Sequence, residues 1–202
     1  MCSVSTDRPA REQIVEHAMA LFGERGVEAT SLREVAKVAG VSPALVVHHF
    51  GGKEGLVAAV DEAAVGRFGA AYGSAEEEGT ATPGDLLRRR AAQTAAVMRE
   101  HPAVCAYLGR ALVEATPGSS RLFRLMIGGG RAEIEGLAAR GALREDADLL
   151  WATLQHFFLI WAPLGFRALL EAEALDAPLL SPEVLERWVE ANVELLERGV
   201  YR

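Results

Sequence analysis

The sequence predicts an all-α protein in two parts: an N-terminal three-helix helix-turn-helix domain, then a larger helical domain. Three observations point there. Between Thr30 and Leu56, two short segments with helix-capping residues flank a glycine turn. From Asp85 to the end, apolar residues recur at helical spacing between proline and glycine breaks. A long apolar stretch, Leu149 to Phe166, and a closing amphipathic segment then read as packed helices.

The 202 residues leave room for one large or two small domains with a real core, and an apolar half argues against disorder. The net charge is −7. Residues 1–60 hold six Lys/Arg against seven Asp/Glu, a net of −1, so residues 61–202 hold 15 against 21, a net of −6. A phosphate-binding face here must work by placing a few cations, and its affinity should fall steeply with salt. Cys2 and Cys105 form no disulfide framework and no metal spacing. The start, MCSVSTDR, lacks the apolar run of a signal peptide, so a cytoplasmic location is expected.

Residues 1–8 read as a frayed arm, with Arg8 and Arg11 as the cations such an arm would carry into a minor groove. Asp7 and Pro9 open the first helix, whose buried stripe is Ile14, Ala18, Leu21 and Phe22, and Gly26 ends it. Ser31 is an N-cap with Glu34 three residues on, a capping box; Leu32, Val35, Ala36 and Ala39 face inward, and Gly40 ends the second helix. Ser42 caps again, Pro43 suits the first helical position, and the third helix runs to Phe50. Gly51 and Gly52 break it. Helix, glycine-containing turn, helix is the arrangement that lays its second helix in the major groove of DNA.

A fourth helix runs from Lys53 to about Tyr72, connecting residues 1–52 to the helical domain at 73–202. An exposed acidic loop follows, from Gly73 to Gly84. Further helices span Asp85 to about Glu100, Pro102 to about Ala115, and Ser119 or Ser120 to Ile127, where Gly128-Gly129-Gly130 should interrupt before the pattern resumes to Gly141. Another spans about Asp146 to Ala172 with a kink at Pro163. The last follows the cap and first-turn pair Ser181-Pro182. The run Leu149 to Phe166 is long enough to raise a membrane span. Gln155, His156, Pro163 and the acidic flanks Asp146, Asp148, Glu171 and Glu173 favour a buried helix instead. Dimerisation would bury it, with Trp161, Leu185, Trp188, Asn192 and Leu195 at the interface.

The first block resembles the tetracycline-repressor (TetR) family of bacterial transcriptional regulators. The resemblance rests on Arg33-Glu34-Val35-Ala36, Ala39-Gly40-Val41-Ser42, His49-Phe50, Lys53-Glu54 with Leu56, and the preceding Leu21-Phe22-Gly23-Glu24-Arg25-Gly26. It covers roughly residues 9 to 60; beyond them the chain matches only in being helical and of similar length. It implies an N-terminal DNA-binding domain and a C-terminal domain for ligand binding and dimerisation. The implied protein is a homodimer on a palindromic double-stranded operator, released by a small molecule. The family usually has a phosphate-touching tyrosine in the recognition helix; Val47 stands there, and His48 and His49 follow.

The expected DNA contacts are Ser31, Arg33, Ser42, Pro43, Ala44, Leu45, Val47, His48, His49 and Lys53. Pro43, Ala44 and Leu45 can meet thymine methyls but not guanine edges, and Lys53 should neutralise a phosphate. Adjacent histidines on a helix point about 100° apart, so His48 and His49 make no metal site. A mainly hydrophobic effector would draw on Tyr107, Met126, Trp151, Gln155, His156, Phe158 and Trp161, an aromatic set with a few polar atoms; ordinary core is the competing account for each. No catalytic set, cofactor motif or metal cluster is present in the sequence. A constitutive regulator with a filled core stays open, as does, more remotely, a membrane-associated helical protein.

Overall fold

A computed structural model of the chain describes residues 7–72, 83–114 and 119–199. The expected arm at residues 1–6, most of the acidic loop from Gly73, and the Pro117-Gly118 break lie outside them, as does the side chain of Arg8. The described residues are all-α. In order the helices are α1 (Asp7–Arg25), α2 (Leu32–Val38), α3 (Pro43–Phe50), α4 (Lys53–Tyr72), α5 (Pro83–Glu100), α6 (Pro102–Glu114), α7 (Ser119–Ala139), α8 (Leu149–Gly165), α9 (Arg167–Glu173) and α10 (Pro182–Gly199).

Two compact units emerge, and they do not follow the division at residues 52 and 73. The first joins residues 1–66 to 102–122; the second joins 67–101 to 123–202. The reason is α6, which packs on α1. A methyl added at Gly23 would lie 2.9 Å from the Tyr107 backbone nitrogen, so this approach needs a residue without a side chain. Beside it the Phe22 and Tyr107 rings lie 6.2 Å apart. Arg110 donates to the carbonyls of Gly23 (3.1 Å) and Glu24 (3.2 Å), satisfying acceptors that the end of α1 leaves open. The core of this unit includes Ile14, Ala18, Met19, Phe22, Val35, Val46, Leu56 and Leu108. Cys105 is buried there.

The second unit has a core of Ile134, Leu137, Leu143, Ala152 and Leu196, drawn from α7, the turn after it, α8 and α10. Arg88 of α5 reaches Glu190 (3.4 Å) and Glu197 (3.7 Å) of α10. Three details depart from the sequence reading. First, α7 runs unbroken through Gly128, Gly129 and Gly130, none of which has a positive φ, because helix on both sides carries the weak stretch. Second, the helix expected over Asp146 to Ala172 is two, α8 and α9, bent by 70° after Gly165. Pro163 lies in the last turn of α8 and cannot donate to the Leu159 carbonyl; that carbonyl accepts from the Trp188 indole N–H instead, at 3.2 Å. Third, the Ser181 hydroxyl caps nothing: it is buried with no hydrogen-bond partner among the described residues, and α10 starts on its carbonyl. No single helix among the described residues is long and apolar enough to cross a membrane; the bent α8–α9 pair passes that test by length and composition only.

Candidate nucleic-acid interface

The helix-turn-helix is built from two serine caps. The Ser31 hydroxyl accepts from the Glu34 N–H (3.2 Å), and the Glu34 carboxylate accepts from the Ser31 N–H (2.8 Å) and hydroxyl (2.7 Å). These bonds satisfy donors that the start of α2 would otherwise leave open. Hydrogen bonds from Ser31, backbone first and then hydroxyl, hold the Glu34 carboxyl below its ordinary value, with Arg25 adding to the effect. The Ser31 hydroxyl is therefore committed to the cap. Ser42 caps α3 by accepting from Leu45 N–H (3.2 Å), with Pro43 in the first turn. Gly51, left-handed at φ 72°, closes α3 and leads through Gly52 into α4.

These caps fix where each helix starts, and the buried apolar residues fix which side faces out. On α3, Val46 is fully buried and Leu45, His49 and Phe50 are partly buried, while Pro43, Ala44, Val47 and His48 are exposed. On α2, Val35 and Ala36 are buried, and Arg33 and Lys37 are exposed one turn apart. Neither cation forms an ion pair among the described residues. Lys37 is the residue the sequence reading passed over; its i+4 relation to Arg33 was the available signal.

Two expected cations are already engaged. Lys53 donates to the Glu28 carbonyl (3.3 Å) and sits 4.0 Å from the Glu28 carboxylate. Arg11 belongs to α1 rather than to an arm, and its guanidinium stands 5.2 Å from the Phe50 ring centroid, tying α1 to the end of α3. His48 and His49 lie with ring centroids 5.6 Å apart, and His49 packs edge-on against Phe50.

In the same unit, the Tyr107 hydroxyl of α6 donates to Asp61 of α4 (2.5 Å). Asp61 is buried, and its second carboxyl oxygen has no hydrogen-bond partner among the described residues. Burial pushes the Asp61 carboxyl above its ordinary value; the Tyr107 hydrogen bond and Arg121 pull against that. Burial, then Asp61, pushes the Tyr107 phenol up, so it keeps its proton. Next to Asp61, Glu62 pairs with Arg121 (2.5 Å).

The candidate effector residues belong to both units. Tyr107 is in the first unit's core, packed on Phe22 and Asp61. The others belong to the second unit. Met126 is buried. Trp161 is buried edge-on to Phe68, with centroids 4.8 Å apart. His156, partly buried, bonds the Ala152 carbonyl (2.8 Å), and burial lowers its pKa, favouring the neutral imidazole. Trp151 and Phe158 are 57% and 52% exposed. Trp151 and Gln155 do border an open cleft of about 340 Å³, whose other walls include Arg144, Asp146 and Asp148. Arg144 is paired with Asp146 (3.1 Å) and Asp148 caps α8, so the cleft is rimmed by satisfied polar groups.

The expected dimer residues divide as well. Trp161 and Leu185 are buried inside the second unit, and Trp188 is partly buried with its N–H spent on Leu159. Asn192 is partly buried and Leu195 is 57% exposed. The large apolar side chains left outward in this unit are Leu125 of α7, Leu149, Leu150, Trp151 and Phe158 of α8, Phe166, Leu169 of α9 and Leu195 of α10.

Comparison with known proteins bears first on the helix-turn-helix. Residues 14–60 match the family model described as bacterial regulatory proteins, tetR family. Over 58 residues the chain is 50% identical to the HTH-type transcriptional regulatory protein RaaS of Mycobacterium tuberculosis, covering 29% of this chain and 27% of that protein. Over 47 residues it is 43% identical to the HTH-type transcriptional repressor KstR2 of the same organism, covering 23% and 24%. The match thus spans about a quarter of the length of these relatives. The whole fold is shared more widely. The structure of the ketosteroid transcriptional regulator KstR2 of Mycobacterium tuberculosis aligns over 95% of both chains at 21% identity, with a TM-score of 0.60. That of the fatty acid degradation regulator FadR of Bacillus halodurans aligns over 93% of this chain and 94% of its own at 16% identity, with a TM-score of 0.73.

Proposed function

By its amino-terminal domain the chain belongs to the tetR family of bacterial regulatory proteins, and from that premise we propose that it is a homodimeric, DNA-binding transcriptional repressor. In this reading it acts in the cytoplasm on a palindromic operator and leaves it when a small, mainly hydrophobic effector binds. It is a regulator and not an enzyme. The observation that carries the reading is the outward face of α2 and α3. There Arg33 and Lys37 stand exposed beside a recognition helix whose exposed residues, Pro43, Ala44, Val47 and His48, suit a groove rather than a protein core.

Arg33 and Lys37 serve phosphates, and α3 serves the bases. The apolar side chains left outward on α8 and α10 support pairing of two copies through the second unit. That KstR2 is a ketosteroid transcriptional regulator and FadR a fatty acid degradation regulator supports a hydrophobic effector. A dimer must hold its recognition helices about one turn of DNA apart, ~34 Å. An effector that binds one spacing better than another, through movement of α4, lowers operator affinity by that difference.

A second reading, a constitutive regulator without effector, draws on the second unit alone, where Met126 and Trp161 are buried as core and Trp151 and Phe158 are exposed. The test of DNA binding is selection from random duplexes by the purified protein at moderate salt. Enrichment of a palindrome with half-sites one turn apart is expected, and Arg33→Ala should weaken that binding while leaving the dimer intact. Failure of folded, dimeric protein to enrich any sequence would sink the reading. An effector is tested on the enriched duplex: hydrophobic compounds that release the protein separate the first reading from the second.

A further inference from the structure

The recognition helix has an unusual alphabet. Residues Pro43 to Phe50 read PALVVHHF, with no Arg, Lys, Asn, Gln, Asp or Glu. The side-chain pairings that identify a base by two hydrogen bonds are Arg or Lys on guanine and Asn or Gln on adenine; the acidic contact to cytosine needs Asp or Glu. None of these can come from α3. What remains for direct reading is a single hydrogen bond from His48, at the edge of the exposed side, and apolar contact with the 5-methyl group of thymine along the rest of it.

Burial singles out the residues that make it. Successive positions on a helix turn by about 100°. Pro43, Val47, Ala44 and His48 therefore follow one another around a single exposed arc, with Val47 and Ala44 at its centre and His48 at one edge. The opposite side is anchored by Val46, which is fully buried. Val47 is 46% exposed and is the largest apolar side chain at the centre of that arc. A β-branched residue there gains nothing for the fold by facing outward. Its two methyl groups form a rigid apolar surface where a groove-bound helix meets base edges.

We infer that α3 selects its half-site through thymine methyl groups, with Val47 as the specificity-determining residue and Ala44 beside it. This rests on the DNA-binding reading above and deepens it: the operator must place thymines opposite the centre of α3.

The experiment starts from the duplex enriched in the selection. Each thymine of a half-site is replaced in turn by deoxyuridine, which keeps pairing and groove hydrogen bonds and removes only the methyl group. At one or two positions affinity should fall about fourfold, the effect of one methyl losing apolar contact. At those positions the protein carrying Val47→Ala should lose twofold or less on the same replacement. Val47 is exposed, so this variant is expected to keep its melting temperature, which is measured alongside. A half-site in which no deoxyuridine replacement matters overturns the inference while leaving DNA binding intact. A loss of equal size in Val47→Ala overturns the role of Val47. If no duplex is enriched, it is the DNA-binding reading that fails, and the inference goes with it.

Discussion

Helices α1 and α4 and the last three helices treat their apolar residues in opposite ways. In the first unit the large apolar side chains of α1 and α4 go inward: Ile14, Met19, Phe22 and Leu56 are all buried. In α8, α9 and α10 several of the largest, Trp151, Phe158, Leu169 and Leu195, face outward, while Trp161 and Leu185 fill the interior. Helices that bury their large apolar groups within their own unit leave no such area uncovered. A unit that leaves Trp and Phe on its surface has apolar area still to cover. The two halves are therefore expected to respond differently to substitution.

The largest expected effect is in the first unit. Phe22→Ala removes a ring that is almost fully buried against Tyr107 and should cost about 3–5 kcal/mol in chemical denaturation. A loss below ~1 kcal/mol would mean that the α1–α6 interface is not the tight one described.

Tyr107→Phe comes next, at about 1–3 kcal/mol, because it leaves the buried Asp61 carboxylate without its donor. The direction with pH is definite. The Asp61 carboxyl is raised in the folded state, so its proton favours folding at acid pH, and that contribution is lost as pH rises through the folded value. Tyr107 stabilises the charged form. Its loss raises the Asp61 value further and should cost more at pH 7 than at pH 5. Denaturation curves of both proteins at the two pH values decide it; an equal cost at both would show that Asp61 does not titrate with the fold.

Ser31→Ala should cost about 1 kcal/mol by loss of the α2 cap, read as a lower melting temperature. Smallest in subunit stability, and sharpest for the comparison, is Trp151→Ser combined with Phe158→Ser. Both residues are more than half exposed, so the unfolding energy of the single chain should move by no more than ~0.5 kcal/mol each. Light scattering on a dilution series should nevertheless show a weaker dimer. An unchanged dimer would leave that apolar surface to another partner.

The same contrast explains what could be read from the sequence. Ser31 with Glu34 and Ser42 with Pro43 are signals over three residues or fewer, set by local backbone donors, and they stand as read. The attachment of α6 to the first unit depends on Tyr107 meeting Asp61, 46 residues away, and Phe22, and no local pattern announces a pairing at that range. The division of α8 from α9 was half legible. Pro163 marked the disturbance, but the bend falls after Gly165, and Trp188 takes up the carbonyl that Pro163 leaves open. Apolar spacing on α8 and α10 could not say which stripe faces the interior, because both stripes are apolar. That is why Trp161 and Leu185, expected at a dimer surface, lie inside. Lys37 was in plain view, yet a lone lysine on a short helix has meaning only once Arg33 is known to share its exposed side.

The unbroken passage of α7 through Gly128, Gly129 and Gly130 has a consequence for protein engineering. A methyl group at any of the three would meet nothing within 4 Å, and their backbone is already helical. Alanine at each should add up to about 1 kcal/mol, chiefly by narrowing the freedom of the unfolded chain. The helix thus holds an untouched reserve of thermal tolerance. A triple alanine variant should melt several degrees higher, and a sensor built on this scaffold could take that margin without altering any side chain of the recognition helix.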